Sequence, residues 1–278
     1  MLLTHWRYTD LCYYKESKIQ LPKQEDSMKR ILSILFLTIS IFLFTCLNAP
    51  AHMLWIESSN PDPYTGETVY LKLGFGHDYP GNKLATPEQL ARVYALNSQG
   101  KQMGLNKIFP GFYKFIPKKE GTYLIQAQMQ PGFITMTPDG HKKGNKKEHK
   151  EAKSCFRYHM NAASVIQTQK SPKQELPKSN KGLRLLPLND LSSLETGDKV
   201  SFRVVFQGEG IKNLNVLGTY KGSEKAWVQE DRSNDKGIVE FEITRKDPWL
   251  FQAKYTTPYK NREVCDKHTY KATITLSP

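Results

Sequence analysis

The sequence contains none of the short motifs that mark the common hydrolases and nucleotide-binding enzymes. It has no Gly-x-Ser-x-Gly nucleophile elbow, no His-Glu-x-x-His zinc motif and no Gly-x-x-x-x-Gly-Lys phosphate-binding loop. Its acidic residues show no spacing that would single out a catalytic pair. We therefore expect a protein that binds a ligand or partner and is not an enzyme.

Helical periodicity is almost absent as well, since only Pro87–Leu96 hints at a helical turn. Apolar residues instead alternate with polar ones, as in Thr68–Phe75, Val200–Phe206 and Gly237–Ile243. Turns rich in Gly, Pro, Asn and Asp separate these short segments at regular spacing. The predicted fold is all-β, with two β-sandwich domains, of which the C-terminal one is immunoglobulin-like.

A secretory signal is indicated near the start of the chain. Met28-Lys29-Arg30 is followed by the apolar run Ile31–Leu47 and by Ala49-Pro50-Ala51, a small-x-small cleavage site. An uncleaved anchor is the alternative, although the run is short for a membrane span. Lipidation at Cys46 is disfavoured by the bulky residues before it. We expect export to the periplasm and cleavage after Ala51.

Composition then divides the chain into segments. Residues 167–182 are rich in Lys, Ser, Pro and Gln and have little to bury, which predicts a linker. Residues 1–27 precede the signal and are interpreted as an extension from a mis-called start codon, with a genuine cytoplasmic tail as the alternative. The predicted segments are the extension at 1–27, the signal peptide at 28–51, an N-terminal β domain at 52–166, the linker at 167–182 and the immunoglobulin-like domain at 183–278.

Cysteine is scarce. The chain has four cysteines, and only Cys155 and Cys265 follow the predicted signal. Two cysteines in an oxidising compartment most often pair, and a disulfide closing a loop of roughly 110 residues contributes about 4–5 kcal/mol. Ligation of a metal by the two thiolates is the alternative.

Acidic residues are outnumbered, and the chain carries a formal net charge of +13. Residues 1–51 hold six basic and four acidic residues, which leaves a net +11 on the predicted mature chain. An exported protein rarely meets nucleic acid, so we do not predict that partner. A lysine-rich soluble surface is the simplest interpretation, with membrane association only through a partner or the signal segment.

Two histidines are the candidate metal ligands. After cleavage, His52 would be the first residue, and its α-amino group and imidazole would together form a chelate that suits Ni²⁺ or Cu²⁺. His77 follows the Thr68–Phe75 strand, where a ligand can be presented at a sheet edge. Asp78 and His159 are candidates for an additional ligand or for a hydrogen-bond partner of a ligand. Histidines without a ligand remain the alternative, and this is the favoured interpretation of His159.

The remaining histidines are assigned no metal. His141 and His149 lie in the lysine-rich segment Asp139–Lys153, where ammonium groups repel cations, and this segment is expected to be a solvated loop or a short frayed helix. His268 is expected to be structural.

Several segments together resemble a bacterial exported family. They are Ala51–Glu57, Gly66–Val69, Gly74–Pro80, Leu194–Asp198, Val205–Gly208, Pro248–Leu250 and Val264–Lys267. Members of this family are described as periplasmic components of nickel or cobalt uptake (NikM/NikK-like) or as a domain of unknown function. The resemblance implies a β-rich protein that binds Ni²⁺ or Co²⁺ for a membrane importer, with His52 and His77 at the positions of the metal role.

Two other functions remain open at this stage. The chain could be an exported carbohydrate- or protein-binding sandwich in which Trp55, Tyr220 and Trp227 face a ligand, and an exposed aromatic row would favour it. An N-terminal histidine with a second histidine is also the copper-binding arrangement of copper oxygenases, although the rest of the sequence offers no match to them.

Overall fold

A computed structural model describes residues 52–81, 83–169, 176, 181–191 and 194–278. The predicted extension and signal peptide lie outside the described residues, and so does most of the predicted linker. Residues 50–278 form one compact unit.

Within the described part of the chain the regular structure is almost entirely β, which confirms the predicted fold class. Two 3₁₀-helices of three residues, Pro87–Gln89 and Lys146–Glu148, interrupt the strands, and the first of them replaces the predicted helical turn. The strands are β1 (Met53–Ser58), β2 (Val69–Gly76), β3 (Leu90–Leu96), β4 (Gln102–Met103), β5 (Asn106–Phe109), β6 (Phe112–Phe115), β7 (Thr122–Met129), β8 (Gly132–Thr137), β9 (Gly140–Lys143), β10 (Ser154–Gln167), β11 (Leu183–Pro187), β12 (Lys199–Phe206), β13 (Glu209–Gly210), β14 (Asn215–Tyr220), β15 (Gln229–Arg232), β16 (Ile238–Glu242), β17 (Trp249–Pro258) and β18 (Lys267–Leu276).

One large sheet runs through both halves of the chain. Its strand order is β15-β14-β17-β18-β10-β7-β3-β4, with β8 paired to β10 and β9 paired to β8. The long strand β10 pairs in parallel with β18, which is the junction between N-terminal and C-terminal strands. The two predicted domains therefore share this sheet, although their exact bounds stay a prediction.

The large sheet is covered on both faces, so the described residues form two large cores, besides a small third cluster of Met53, Trp55, Tyr79 and Leu250. The sheet β1-β2-β6-β5 packs on one face, and the sheet β11-β12-β13, with β16 beside β12, packs on the other. In β10, Ala162 and Ile166 enter the first core, whereas Ala163 and Val165 enter the second. Side chains alternate along a strand, so a nearly continuous run of buried residues is what a strand covered on both faces requires.

Aromatic side chains fill the second core. Trp249 and Phe251 are fully buried and stack with their ring centroids 5.7 Å apart. Phe251 also contacts Phe202 and Phe241, at 4.7 and 4.9 Å between centroids. Each buried ring of this size contributes about 2–3 kcal/mol by burial alone. The prediction that Trp249 and Phe251 are core residues is confirmed.

Cys155 and Cys265 form a disulfide, with their Cα atoms 4.9 Å apart. It joins the start of β10 to the segment immediately before β18, across a sequence separation of 110 residues. The predicted pairing is confirmed, and the pairing excludes the two residues as thiolate ligands of a metal.

The lysine-rich segment is more ordered than its composition predicts. Its first half forms β9, which pairs with β8, and its second half contains the 3₁₀-helix, capped by Asn145 and Glu148. Lys146 forms an ion pair with Asp266, whose carboxylate also accepts a hydrogen bond of 2.7 Å from the backbone N–H of Cys155. The segment is largely exposed and contains a short helix, as one of the two expectations had it, but its first half is a paired strand and not a loop. The contact of Lys146 with Asp266 holds its second half beside the disulfide.

None of the helices in the described part of the chain has the length and apolar character needed to cross a membrane.

Candidate functional site

The pairing of β1 with β2 brings the two predicted metal ligands together. The strands are antiparallel, and their register runs from Ser58 opposite Leu71 to Met53 opposite Gly76. One further step of this register places His52 opposite His77. The two imidazole rings lie 3.9 Å apart between centroids, tilted by 45°. Both histidines are exposed at the end of the sheet, where an ion from solvent can reach them.

The register of this pair is set by Trp55. Its indole is fully buried and lies across Gly74, the residue opposite it. A Cβ on Gly74 would lie 2.0 Å from the indole Cε2, so no larger residue fits there without a shift. The indole N–H donates a 3.0 Å hydrogen bond to Glu57, and Tyr79 packs edge-on against the ring. A slip by one residue would turn His52 to the opposite face of the sheet.

A second set of contacts holds the outer edge of β1. Three carbonyl groups of this edge strand, those of His52, Leu54 and Ile56, accept side-chain hydrogen bonds from β18. The donors are Lys271, whose Nζ lies 2.8 Å from the His52 carbonyl oxygen, and then Thr273 and Thr275. These bonds satisfy backbone acceptors that would otherwise be buried without partners.

Sequence reasoning missed these three donors. The signal was present as polar residues at alternate positions 271, 273 and 275 of an otherwise buried final strand. Alternation of this kind is usually interpreted as a solvated face. Here β1 covers this face of β18, and the three donors hold the backbone of β1 and of His52 in place.

The surroundings of His52 favour a neutral imidazole. Partial burial of the ring lowers its pKa, and electrostatic repulsion from His77, Lys271 and Lys83 lowers it further. Phe75 stacks on the same ring, with centroids 5.0 Å apart and planes within 16°. A neutral ring has a free nitrogen lone pair, which is the form that binds a metal. The same positive charges disfavour a cation, so the site is suited to moderate rather than extreme affinity.

Lys271 makes the stability of the fold dependent on pH. Burial, with a smaller effect from Lys254, lowers the pKa of Lys271 to about 7, and the side chain is 5% exposed. The unfolded chain, with a lysine pKa of about 10.4, binds the extra proton between these two values, so the free energy of unfolding rises with pH there and is flat below about pH 7. We predict that the free energy of unfolding, measured by urea denaturation, rises by about 2 kcal/mol from pH 7 to pH 9. This rise should be absent in Lys271→Met. An equal rise of the unfolding free energy with pH in Lys271→Met would show that Lys271 does not cause the pH dependence.

Asp78 and His159, the predicted additional ligands, are not brought to the histidine pair. Asp78 is exposed, and its carboxylate makes no hydrogen bond or ion pair with either ring among the described residues. His159 lies on the other face of the large sheet, where its Nε2 is 3.0 Å from Nδ1 of His268 and its ring stacks on Tyr270. His159 thus belongs to a different cluster.

Burial and the neighbouring His268 and Arg157 charges lower the pKa of His159 to about 4. His268, expected to be structural, is its hydrogen-bond partner. His141 is exposed, as expected, whereas His149 is half-buried, with Nε2 2.8 Å from the Lys143 carbonyl oxygen.

No group of three or more His, Cys, Asp or Glu side chains arranged to hold a metal occurs in the described residues. What the fold supplies at this site is two imidazoles. A metal bound to two imidazoles through bonds of about 2 Å, at angles of roughly 90 to 110°, holds their ring centres about 4.5 to 5 Å apart. The two rings, 3.9 Å apart here, would have to separate slightly to bind one ion. The pair supplies two nitrogen ligands, which leaves the other positions on a metal to a further nitrogen or to solvent.

The aromatic residues considered for a carbohydrate-binding surface do not form an exposed row. Trp55 is fully buried, and Tyr220 and Trp227 are half-buried. Tyr220 contacts Trp249, at 5.2 Å between centroids, and Arg245 lies over the same ring. Trp227 packs against the cluster that contains Trp55, so all three side chains have packing contacts.

Three solved structures illustrate the structural likeness. The D0-D1 domain of Intimin is 12% identical and covers 82% of this chain and 100% of its own, with a TM-score of 0.23. A tetra-tandem repeat in the extending region of a large adhesion protein is 12% identical over 82% of this chain and 50% of its own, with a TM-score of 0.23. Trypsin-activated alpha-2-macroglobulin from Escherichia coli is 13% identical, and the match covers 82% of this chain and 16% of the macroglobulin chain, with a TM-score of 0.21. Scores this low carry no argument about function.

No curated protein matches the sequence. A family model described as a domain of unknown function, DUF4198, matches residues 49–257, which is most of the chain. The chain belongs to this DUF4198 family.

Proposed function

We propose that the protein is an exported accessory protein that binds Ni²⁺ or Co²⁺ at His52 and His77 and supplies the ion to a membrane importer in the periplasm. The single observation that supports this is the approach of the two imidazole rings to 3.9 Å, brought about by a strand register that buried packing enforces. Exposed histidines on a flexible surface would have no reason to meet in this way.

The chemistry of the donors suits these ions. Imidazole and amine nitrogens are preferred by Ni²⁺, Co²⁺ and Cu²⁺, whereas Ca²⁺ and Mg²⁺ prefer oxygen. If the mature chain begins at His52, its α-amino group adds a third nitrogen within the same residue. Cu²⁺ would bind such a set more tightly than Ni²⁺ or Co²⁺ by the usual order of affinities, so the identity of the cargo depends on supply in the cell.

The position of the site suits transfer of the ion. His52 and His77 lie at the exposed end of a two-strand pair, and the surrounding described residues supply no third side-chain ligand that would enclose the ion. An ion held by few protein ligands can be passed to a partner that offers more. A structural metal site, in contrast, is closed by four protein ligands.

Calorimetric titration of the chain beginning at His52 with Ni²⁺, Co²⁺ and Cu²⁺ tests the proposal. We expect saturable binding of one ion, weakened at least about tenfold in His52→Ala and in His77→Ala, since each removes one metal–nitrogen bond. His141→Ala is the matched control, because His141 is also exposed but lies on β9, away from the histidine pair. The metal affinity of this variant should equal that of the unaltered chain. Absence of saturable binding, or equal affinity in all variants, would contradict the proposal.

A chain with one glycine added before His52 separates the role of the amine from that of the rings. The added residue moves the amine away from the imidazole and leaves the fold intact. We expect weaker binding than in the unextended chain, but stronger binding than in His77→Ala. Equal affinity of the extended and unextended chains would show that the amine is not a ligand, and it would leave the two imidazoles as the proposed ligands.

A further inference from the structure

A separate cavity lies on the other face of the large sheet from the histidine pair. It has a volume of about 250 Å³ and is bordered by β3, β7, β10, β18 and the start of β11. Among the described residues, its lining contains three cationic side chains and no acidic one. The lining includes Arg92, Tyr94, His159, Asn161, Lys181 and Arg184.

Arg184 is the unusual member of this lining. The side chain is 4% exposed, and its Nε donates a hydrogen bond of 3.2 Å to the Lys181 carbonyl oxygen. Among the described residues, its Nη1 has no hydrogen-bond partner, and none of the ion pairs includes Arg184. A buried guanidinium without a carboxylate is costly, and natural proteins seldom retain one unless a ligand or partner compensates for it.

The hydroxyl of Tyr94 is held in place beside this guanidinium. It donates a hydrogen bond of 2.6 Å to Gln126 Oε1, and Gln128 lies 3.4 Å away as a weak donor to it. Burial lowers the pKa of Arg184, and the contact with Tyr94 partly offsets this. The guanidinium remains the charged donor of the cavity, since arginine stays protonated under all ordinary conditions.

Two further cations stand at the mouth of the cavity. Arg92 and Lys181 are exposed, and the Arg92 guanidinium lies 5.0 Å from the centre of the Tyr94 ring. Exposed cations around a buried one concentrate anions from solution and order their approach. His159 and Asn161 add polar groups to the lining without adding an acidic one.

We infer that this cavity binds a small oxyanion, a carboxylate or phosphate group that accepts hydrogen bonds from the free Nη1 of Arg184 and is neutralised by Arg92 and Lys181. The planar fork of a guanidinium matches two oxygens of either group. The volume of about 250 Å³ admits an anion of the size of phosphate or citrate. This inference does not depend on the proposed metal function, because the two sites lie on opposite faces of the sheet and share no residue.

Titration of the mature protein with inorganic phosphate and, separately, with citrate at low salt tests the inference. We expect saturable binding of at least one anion, about tenfold or more weaker in Arg184→Met and about threefold weaker in Arg92→Gln and in Lys181→Gln. The last two residues are exposed, so these variants keep the test valid if Arg184→Met fails to fold. Binding of phosphate alone assigns the phosphate class, and binding of citrate alone assigns the carboxylate class.

Arg232→Gln is the matched control, since Arg232 is an exposed arginine on β15, at the opposite edge of the same sheet. Its affinity should equal that of the unaltered protein. No binding of either anion at millimolar concentration, or binding that Arg92→Gln, Lys181→Gln and Arg232→Gln weaken equally, would overturn the inference, because nonspecific attraction to a basic protein has the second outcome.

Discussion

Replacing Gly74 with alanine is expected to destabilise the protein by about 3 kcal/mol and to abolish the proposed binding of Ni²⁺ or Co²⁺ at the histidine pair. The added methyl group would lie 2.0 Å from the indole of Trp55, which is fully buried and has no space to move into. Relief of the clash requires the two strands to separate or to slip, and either movement takes His52 away from His77. A single methyl group added at Gly74 is thus expected to separate the two histidines at the end of the strand pair.

Urea denaturation gives the free energy of unfolding, and calorimetric titration gives the metal affinity. Gly76→Ala is the control on the same strand, because its Cβ would lie 3.8 Å from Trp55, an ordinary contact distance. We expect this variant to lose less than about 1 kcal/mol and to retain metal binding. Adding Trp55→Phe to Gly74→Ala should restore part of the lost stability, since the smaller ring makes space for the methyl group. Equal effects of the two glycine variants would contradict the role of Trp55 in setting the register.

Removing the disulfide is the second change with a large expected effect. The double variant Cys155→Ala, Cys265→Ala should lose about 4 kcal/mol of unfolding free energy, because the bond closes a loop of 110 residues and restricts the unfolded chain. The bond joins β10 to the segment immediately before β18, and the pairing of these two strands holds the N-terminal and C-terminal halves of the large sheet together. We therefore expect a single unfolding transition in the unaltered protein and a broader one in the variant.

Denaturation with and without a thiol reductant provides the internal comparison. Reductant should lower the stability of the unaltered protein to that of the double variant and should leave the variant unchanged. Metal affinity should be little affected in either case, since the disulfide lies at the other end of β10 from the core beneath β1. A loss below about 1 kcal/mol would mean that the unfolded chain is already compact without the bond.

Much of the local structure could be predicted because it depends on patterns within a few residues. Alternation in segments such as Thr68–Phe75 and Gly237–Ile243 identified strands that the structure contains as β2 and β16. The pairing of Cys155 with Cys265 followed from their number and the expected compartment. The meeting of His52 with His77 was predicted only as an option, since sequence alone does not determine which register two strands adopt.

Other features depended on contacts that the sequence does not encode locally. The lysine-rich segment is held by Lys146 and Asp266, which are 120 residues apart. His159 was considered for the metal site, yet alternation along β10 turns it toward the opposite face. The cavity around Arg184 was not predicted at all, because an arginine in an alternating strand is normally interpreted as exposed.

The amino-acid pattern by itself determined the all-β character, the disulfide partners and the candidate metal ligands, since these follow from side-chain chemistry and two-residue periodicity. Only the tertiary structure decided that one sheet serves both large cores, that Trp55 packed on Gly74 places two histidines side by side, and that an arginine is buried with no described carboxylate beside it. These outcomes depend on long-range packing, where the volume of one side chain decides whether another has space.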